Sequence, residues 1–207
     1  AYRVGLDNAD ELSEAFTFFE KIYRVQRDAI ANIQASRDTC IEALARDPAS
    51  EWAWQELTQS HAEDESWWEL VQGLTKAAMK ASDKAGTITL HIATIMDEQL
   101  GQVEKAISLY EAAIDSGADA LVALEGLEAL YAESENWSQL AHTYERLIPF
   151  ALDADERVTF RRNWAMVLSD GLGDIKGALA LYDAVLEEAP EDQEAFQAMM
   201  ALQKRLG

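Results

Sequence analysis

The chain has 207 residues and a formal net charge of −21 at pH 7, from 38 acidic and 17 basic side chains. A chain this acidic repels phosphate backbones, so nucleic acid is excluded as an expected partner. The one cysteine, Cys40, excludes an internal disulfide and a zinc site made of cysteines. It falls on the apolar side of a helical pattern, so we interpret it as a small core residue.

No stretch of the sequence approaches the roughly 18 uninterrupted apolar residues of a membrane helix, so we expect no membrane insertion. The first residues lack a basic segment followed by an apolar run, and so they do not resemble a signal peptide. The sequence does not begin with Met, which leaves a processed form or a fragment open. We expect a cytoplasmic protein, with the periplasm as the open alternative.

Apolar residues recur at spacings of three and four along the chain, and no alternating strand pattern interrupts them. This spacing predicts an all-α protein with eleven helices. In chain order they cover 8–25, 27–46, 49–62, 66–82, 84–98, 102–116, 118–133, 136–151, 154–170, 174–188 and 191–205. The first two could instead form one longer helix, because the same spacing continues through Phe19, Ile22, Tyr23, Gln26, Ile30 and Ile33.

Capping residues stand at the predicted helix ends. Asn136 and Asp174 are suited to cap the helices that follow them, and Gly171 and Gly173 are suited to end the preceding helix. The glycine-rich run 171–177 resembles a phosphate loop only superficially, because its spacing is wrong and no strand precedes it. We interpret it as a turn between helices.

The sequence repeats itself. Trp67 and Trp137 lie 70 residues apart, Tyr110 and Tyr144 lie 34 apart, and Tyr144 and Tyr182 lie 38 apart. Each period contains a helix, a short polar turn and a second helix. A helical hairpin with a period of 34–38 residues has apolar side chains on more than one face, so stacked neighbours must bury them.

This pattern resembles the tetratricopeptide repeat family. The residues that carry the resemblance are Trp54, Leu57, Trp67, Ala106, Tyr110, Ala113, Leu124, Leu127, Tyr131, Trp137, Ala178, Tyr182 and Pro190. The resemblance implies a right-handed superhelical solenoid of about five antiparallel helical hairpins. It divides the chain into an N-terminal hairpin or capping repeat at 1–47, four repeats at 48–192 and a C-terminal helix at 193–207. Related helical-hairpin repeats stay open as alternatives.

In that family the first helix of each hairpin lines a concave groove. The positions that correspond to it here are Trp52, Gln55, Gln59, Ile88, His91, Ile95, Val122, Glu125, Ala129, Asn163, Val167 and Asp170. None of them is Lys or Arg, so the family's clamp for a C-terminal carboxylate is not expected. The resemblance therefore implies a non-catalytic scaffold or adaptor whose partner is a protein or peptide of basic or amphipathic character.

The acidic residues are unevenly spread. The stretches 47–75, 106–145 and 177–203 contain acids but neither Lys nor Arg. One interpretation is a solvated surface that keeps the protein soluble or adapts it to salt. The other is a docking surface that steers a basic partner.

Two other functions stay open. The apolar residues of the last helix, among them Phe196 and Met200, favour self-assembly through 191–205 or a structural place in a larger assembly. An accessory domain of a longer enzyme is the third possibility. Of the tryptophans, we interpret Trp67, Trp137 and Trp164 as core residues. Trp52, Trp54 and Trp68 crowd one short region, a helix cannot bury both Trp52 and Trp54 on one narrow face, and we interpret one of the group as an exposed anchor.

Candidates for chemistry are few. His61 and Glu65 form an i, i+4 pair, but two ligands do not make a metal site, and we interpret the pair as a solvated helix end. No local pattern brings Ser, His and Asp together, and Cys40 has no adjacent His. We therefore expect no enzyme activity, no cofactor and no bound metal.

Overall fold

The computed structural model describes residues 12–81 and 84–206, with side chains from Glu14 onward. Within these residues all regular structure is helical, and no strand is present. The α-helices are α1 (Leu12–Arg24), α2 (Ile33–Arg46), α3 (Glu51–Ala62), α4 (Trp67–Ala81), α5 (Ala85–Glu98), α6 (Val103–Asp115), α7 (Ala120–Glu133), α8 (Trp137–Leu147), α9 (Ala154–Met166), α10 (Ile175–Glu188) and α11 (Gln193–Leu206). The chain divides into two compact units, unit 1 (1–120) and unit 2 (121–207).

The helices repeat with a regular step. The first helices of successive hairpins begin at Glu51, Ala85, Ala120 and Ala154, which gives steps of 34, 35 and 34 residues. Short turns join each of them to a second helix, so the two helices of a hairpin run antiparallel. The prediction of an all-α, tetratricopeptide-like array of helical hairpins is confirmed by these helices. The division into 1–47, 48–192 and 193–207 stays a prediction.

Most predicted helix ends lie within a few residues of the observed ends. The side chain of Asn136 accepts a hydrogen bond from the Gln139 amide, and Asp174 accepts one from the Gly177 amide at 3.0 Å, so both predicted caps are confirmed. Gly173 adopts a φ of +70°, which suits a glycine at the end of a helix. The predicted helix 136–151 ends in a tighter 3₁₀ turn at Ile148–Phe150, and the predicted helix 154–170 ends in a wider π-helical turn at Val167–Gly171.

The alternative of one long N-terminal helix is wrong. A π-helical turn, Val25–Ala29, ends the first segment, and Ala31 then takes a φ of +54°. The side chain of Asn32 accepts a hydrogen bond from the Ala35 amide and starts α2. Ile30 and Ile33, which continued the apolar spacing in the sequence, are 63% and 54% exposed. The predicted helical residues before Leu12 lie outside the described residues.

The core of unit 1 lies between neighbouring helices. Its fully buried large side chains are Phe19, Leu44, Leu57, Leu70, Leu74 and Ile88. Each stabilises the fold by about 1.5–3 kcal/mol through burial. Cys40 is also fully buried, and burial raises the pKa of its thiol to about 12, so it is protonated at neutral pH. The interpretation of Cys40 as a core residue is confirmed.

A buried arginine joins α2 to the end of α3. Arg37 is 5% exposed, and its Nε donates to Ser60 Oγ at 2.9 Å. Its Nη2 donates to Asp64 Oδ2 at 2.8 Å and to the Ser60 carbonyl. Hydrogen bonds from Ser66 and then from Arg37 lower the pKa of Asp64 to about 2, so the carboxylate keeps its charge. The buried guanidinium is thereby paired, as burial of a charge requires.

Unit 2 combines an apolar core with ion pairs at one end. The buried cluster of Val158, Ala165, Tyr182, Val185 and Leu202 joins α9, α10 and α11. Arg157 and Arg161 both bind Glu188 at the end of α10, and Arg162 Nη1 lies 2.9 Å from Asp192 Oδ2 before α11. Hydrogen bonding to Arg157 lowers the pKa of Glu188. These pairs fix the positions where the helices of unit 2 meet.

The repeated tyrosines take equivalent places in successive hairpins. Tyr110, Tyr144 and Tyr182 are 4–6% exposed on the second helices. The hydroxyl of Tyr144 donates to Glu128 Oε1 at 2.6 Å, sixteen residues earlier on α7. The side chain of Tyr110 hydrogen-bonds to Thr94, sixteen residues earlier on α5. In the hairpins α5–α6 and α7–α8, the tyrosine of the second helix therefore joins the first helix by a hydrogen bond at the same register.

A close backbone approach at Gly86 offers a test of hairpin stacking. A Cβ at Gly86 would lie 2.6 Å from the Ser116 carbonyl oxygen and 2.8 Å from the Ala118 amide nitrogen, atoms that cannot rotate away. We expect Gly86→Ala to lower the free energy of unfolding by about 1–3 kcal/mol, as overpacked sites do. Urea unfolding followed by circular dichroism measures it.

Gly73→Ala is the matched control in α4. Its Cβ would meet only the side chain of Ile41, whose far end can move aside. Removing a helical glycine gains roughly 1 kcal/mol, so we expect the net change to stay within about 1 kcal/mol. Equal stability of the two variants would contradict the close approach at Gly86.

Candidate partner-binding site

Two first helices of unit 1, α3 and α5, bring an indole and an imidazole together. The rings of Trp54 and His91 stack with centroids 3.8 Å apart and an angle of 29° between their planes. Trp54 Nε1 donates to the Pro48 carbonyl at 2.7 Å, which fixes the orientation of the indole. The stacked pair is thus held in place from the turn before α3 and from α5.

A pocket of about 140 Å³ opens beside this pair. Its lining residues come from α3, α4, α5 and the residue after α5. They are Trp54, Thr58, Trp67, His91, Thr94, Ile95, Glu98 and Gln99. The rings form the inner part, while Thr58, Glu98 and Gln99 are exposed at the rim. We call this the Trp54–His91 pocket.

The electrostatics of the Trp54–His91 pocket favour a positive occupant. Burial lowers the pKa of His91, so the imidazole is neutral at pH 7 and adds no positive charge. Among the described residues that line the pocket, none is Lys or Arg, whereas Glu98 supplies a carboxylate. The negative faces of aromatic rings attract cations, and a carboxylate at the rim adds to that attraction.

The predicted groove residues of unit 1 have mixed exposure. Gln55 and Gln59 are exposed on α3 and hydrogen-bond to Glu51 at 3.3 Å and Glu63 at 3.5 Å. Trp52 is partly buried, with its ring edge-on to Tyr23 at 5.4 Å. On α5, Ile88 is fully buried, Ile95 is 9% exposed, and His91 is partly buried in the Trp54–His91 pocket.

The predicted residues of unit 2 are also mixed. Val122 is 45% exposed, and Glu125 and Ala129 follow it on the exposed side of α7. On α9 and the turn after it, Asn163 hydrogen-bonds to Tyr144, Val167 is 5% exposed, and Asp170 is exposed with Arg205 Nη1 at 3.7 Å. The partner-binding role of all twelve residues stays a prediction, and only the exposed members are accessible to a partner.

Neither Trp52 nor Trp54 is an exposed anchor, because each packs its ring against another ring. The sequence spacing could not show this, since Tyr23 and His91 lie far away along the chain. The most exposed tryptophan of the group is Trp68, at 46%, and Lys105 Nζ lies 5.0 Å from its ring centroid. Trp67, Trp137 and Trp164, interpreted as core residues, are all partly buried.

Sequence reasoning missed the roles of Trp67, Thr94 and Glu98 in the pocket. One signal was available, because His91, Ile95 and Glu98 lie at i, i+4 and i+7 and therefore share one face of α5. Nothing in the sequence indicated that Trp54 and Trp67 from the preceding hairpin reach this face.

A larger cavity of about 650 Å³ lies between α2 and α4. Its charged lining residues are Asp38, Glu42, Glu69, Arg46, Lys76 and Lys80. The acids and bases are equal in number, so the lining attracts neither anions nor cations strongly. This cavity therefore has no evident ligand chemistry.

The interpretation of His61 as part of a solvated helix end is wrong. His61 is 3% exposed, and its Nδ1 lies 2.6 Å from Ser66 Oγ and 3.1 Å from the Ser66 carbonyl. Burial and then the charge of Arg37 lower the pKa of His61.

In residues 12–81 and 84–206, no three His, Cys, Asp or Glu side chains cluster as metal ligands would. No helix in the same residues is long and apolar enough to cross a membrane.

No protein-family model and no curated protein matches the chain. Solved structures that are similar include a tetratricopeptide repeat protein from Parabacteroides merdae, 16% identical, covering 91% of this chain and 73% of that one, with a TM-score of 0.49. A thermophilic protein of this kind from Thermus thermophilus is 16% identical over 89% of this chain and 98% of that one, with a TM-score of 0.37.

The TPR2AB domain of yeast Sti1, solved in complex with pHSP90, is 14% identical over 92% of this chain and 85% of that one, with a TM-score of 0.35. At these sequence identities and TM-scores the three structures are similar to this chain, but no statement about its fold or function rests on them. The tetratricopeptide-like fold stated above depends on this chain's own helices.

The stacked imidazole makes stability depend on pH. The pKa of His91 is lower in the folded chain, so the unfolded chain takes up a proton first as the pH falls through about 6.5. Folding stability therefore falls with pH below that value, by at most about 1.4 kcal/mol per pH unit for one group. We expect His91→Phe, which keeps a stacking ring, to lose less stability between about pH 7.5 and 5.5 than the unchanged chain.

Urea unfolding at both pH values measures the difference. His142→Phe is the control, because its side chain is exposed on α8. Buried His61 is present in every variant, so its own effect cancels in the comparison. The same pH dependence in His91→Phe and in the unchanged chain would contradict a neutral, partly buried imidazole in the stack.

Proposed function

We propose that the chain is a non-catalytic protein-interaction module that binds a basic segment of another protein through the exposed side of its first helices. The observation that carries this proposal is the Trp54–His91 pocket, where aromatic rings and a carboxylate meet and no Lys or Arg is found among the described lining residues. Tryptophans in partly enclosed pockets are frequent anchors of protein interfaces.

The charge around the pocket supports the same partner. The stretch 47–75, which contains α3 and the start of α4, has acids at Glu51, Glu56 and Glu63 and no Lys or Arg. Arg27 from the preceding segment pairs with Glu56 at 2.9 Å and with Glu63 at 3.7 Å, so part of this charge is neutralised. The remaining excess steers a basic segment towards α3 and disfavours an acidic one.

Cys40 and His61, whose side chains are the best suited to catalysis, lie in environments that are typical of structural residues. Cys40 is buried with a raised pKa, and a nucleophilic thiol needs the opposite. His61 is buried at the junction of α3 and α4 and hydrogen-bonds to Ser66. These environments support a binding role over a catalytic one.

Photo-crosslinking from defined positions tests the proposal. Benzoylphenylalanine at Gln55 or Gln59 lies on exposed sites of the first helix α3, while the same group at Glu104 or Ser108 lies on exposed sites of the second helix α6. We expect adducts with source-cell protein from the α3 positions alone, and the crosslinked peptides to be rich in Lys and Arg. They should form in about 0.1 M NaCl and be lost in about 1 M NaCl, where screening shortens the reach of charge to about 3 Å.

Charge reversal gives an independent control in unit 2. Glu125→Lys changes an exposed first-helix acid, and Glu145→Lys changes an exposed second-helix acid by the same charge. If unit 2 also binds through its first helices, only Glu125→Lys lowers the amount of partner protein that the chain binds. Adducts that form equally from α3 and α6, or that carry no excess of basic residues, would exclude the proposed surface.

A second function is favoured by the last helix. Phe196 and Met200 are 53% and 50% exposed and lie one turn apart on α11, whereas Ala195 and Leu202 pack into unit 2. Two large apolar side chains on one exposed helix face suit self-association. In this alternative the chain is a structural segment of a larger assembly.

Sedimentation of the 23.0 kDa chain across a range of concentrations separates the two functions. Under the assembly alternative the mass rises with concentration, and Phe196→Glu together with Met200→Glu restores the monomer. Glu substitutions at Gln197 and Gln203, which are exposed polar sites of the same helix, serve as the control for added charge. A monomer at every concentration would remove this alternative and leave the binding module.

A further inference from the structure

The Trp54–His91 pocket also has the properties of a site for one ammonium group. We propose that it binds the side chain of a lysine in the partner segment, an inference that rests on the proposed function. The neutral imidazole and the indole are fixed by their stacking at 3.8 Å and by the bond from Trp54 Nε1 to the Pro48 carbonyl. The rings therefore need no rearrangement before a cation enters.

The dimensions suit a single side chain. A volume of about 140 Å³ admits a group of a few heavy atoms and excludes a helix or a folded element. Trp67 and Ile95 supply apolar surface for the methylene stem of a lysine, and Glu98 stands at the rim. Lysine places an apolar stem along such a wall while its charge meets the rings and a carboxylate.

The same unit already contains an example of this contact. Lys105 Nζ lies 5.0 Å from the ring centroid of Trp68, within the range of a cation–π interaction. Trp68 therefore already has one of the chain's own ammonium groups beside its ring, while the described residues that line the Trp54–His91 pocket include no lysine or arginine. An external lysine would make at Trp54 and Trp67 the contact that Lys105 makes at Trp68.

Fluorine NMR of the full chain labelled with 5-fluorotryptophan tests the site without any partner. The probe is n-butylammonium chloride, which reproduces a lysine side chain, and 1-butanol is its uncharged counterpart. Single Trp→Phe variants assign the six tryptophan signals. At constant ionic strength we expect n-butylammonium to shift the signals of Trp54 and Trp67 and to leave that of Trp68 in place.

Two matched variants separate the pocket from the general acidity of the chain. Glu98→Gln removes the carboxylate at the rim, and we expect the apparent dissociation constant for n-butylammonium to rise roughly three- to ten-fold. Glu104→Gln removes the same charge from an exposed site of α6 outside the pocket, and binding should change less than about two-fold because exposed charges at a distance are screened.

Three results would overturn the lysine site. Equal shifts with 1-butanol would show that the pocket is merely apolar, and equal shifts of all six tryptophan signals would show diffuse attraction. The absence of any shift at Trp54 and Trp67 would show that the pocket does not bind the ammonium group. Crosslinking from α3 combined with any of these results would retain the proposed function and remove the lysine site. Specific shifts without crosslinking would retain the site and remove the proposed function.

Discussion

The structure depends on one constraint, which is that a hairpin of this chain cannot bury its own apolar side chains. Helix α4 packs on α2, α3 and α5 at once, and its residues Leu70 and Leu74 are fully buried. In unit 2, α10 likewise needs both α9 and α11 to bury Val185. Stability in such a fold comes from contacts between hairpins that are neighbours along the chain, so each hairpin depends on the next one for its folded state.

Because of that constraint, one side of a first helix packs in the core while the other side is exposed. On α3, Ala53 and Leu57 point into the core at a spacing of four, and Gln55 and Gln59 keep the same spacing on the exposed side. Stacking determines the first pair, because a change of volume there disturbs two hairpins. It places little demand on the second pair, so the exposed side of a first helix can acquire binding residues at small cost to stability.

Much of the fold could be predicted from the sequence because its signals are local. Apolar spacing located the helices, and Asn136 and Asp174 marked two helix starts. The alternative of one long N-terminal helix was wrong because Ile30 and Ile33 keep the apolar spacing although both are exposed, and spacing records hydrophobicity rather than burial. The candidate site was predicted only in part. His91 and Ile95 follow from the position of α5, but their meeting with Trp54 depends on how two hairpins rotate against each other, which no short pattern specifies.

The Trp54–His91 pocket is therefore a product of stacking and not of one helix. Trp54 and Trp67 come from one hairpin, while His91, Ile95 and Glu98 come from the next. A ligand of this pocket binds the stacked state and has no comparable site on separated hairpins, so by linkage its binding stabilises the stack. The partly buried, neutral His91 acts in the same direction, because a proton on it would place a positive charge where the proposed cation binds and would weaken folding as well. Under the proposed function, partner binding, protonation of His91 and the stacking of two hairpins would all be coupled through the contact between the Trp54 and His91 rings.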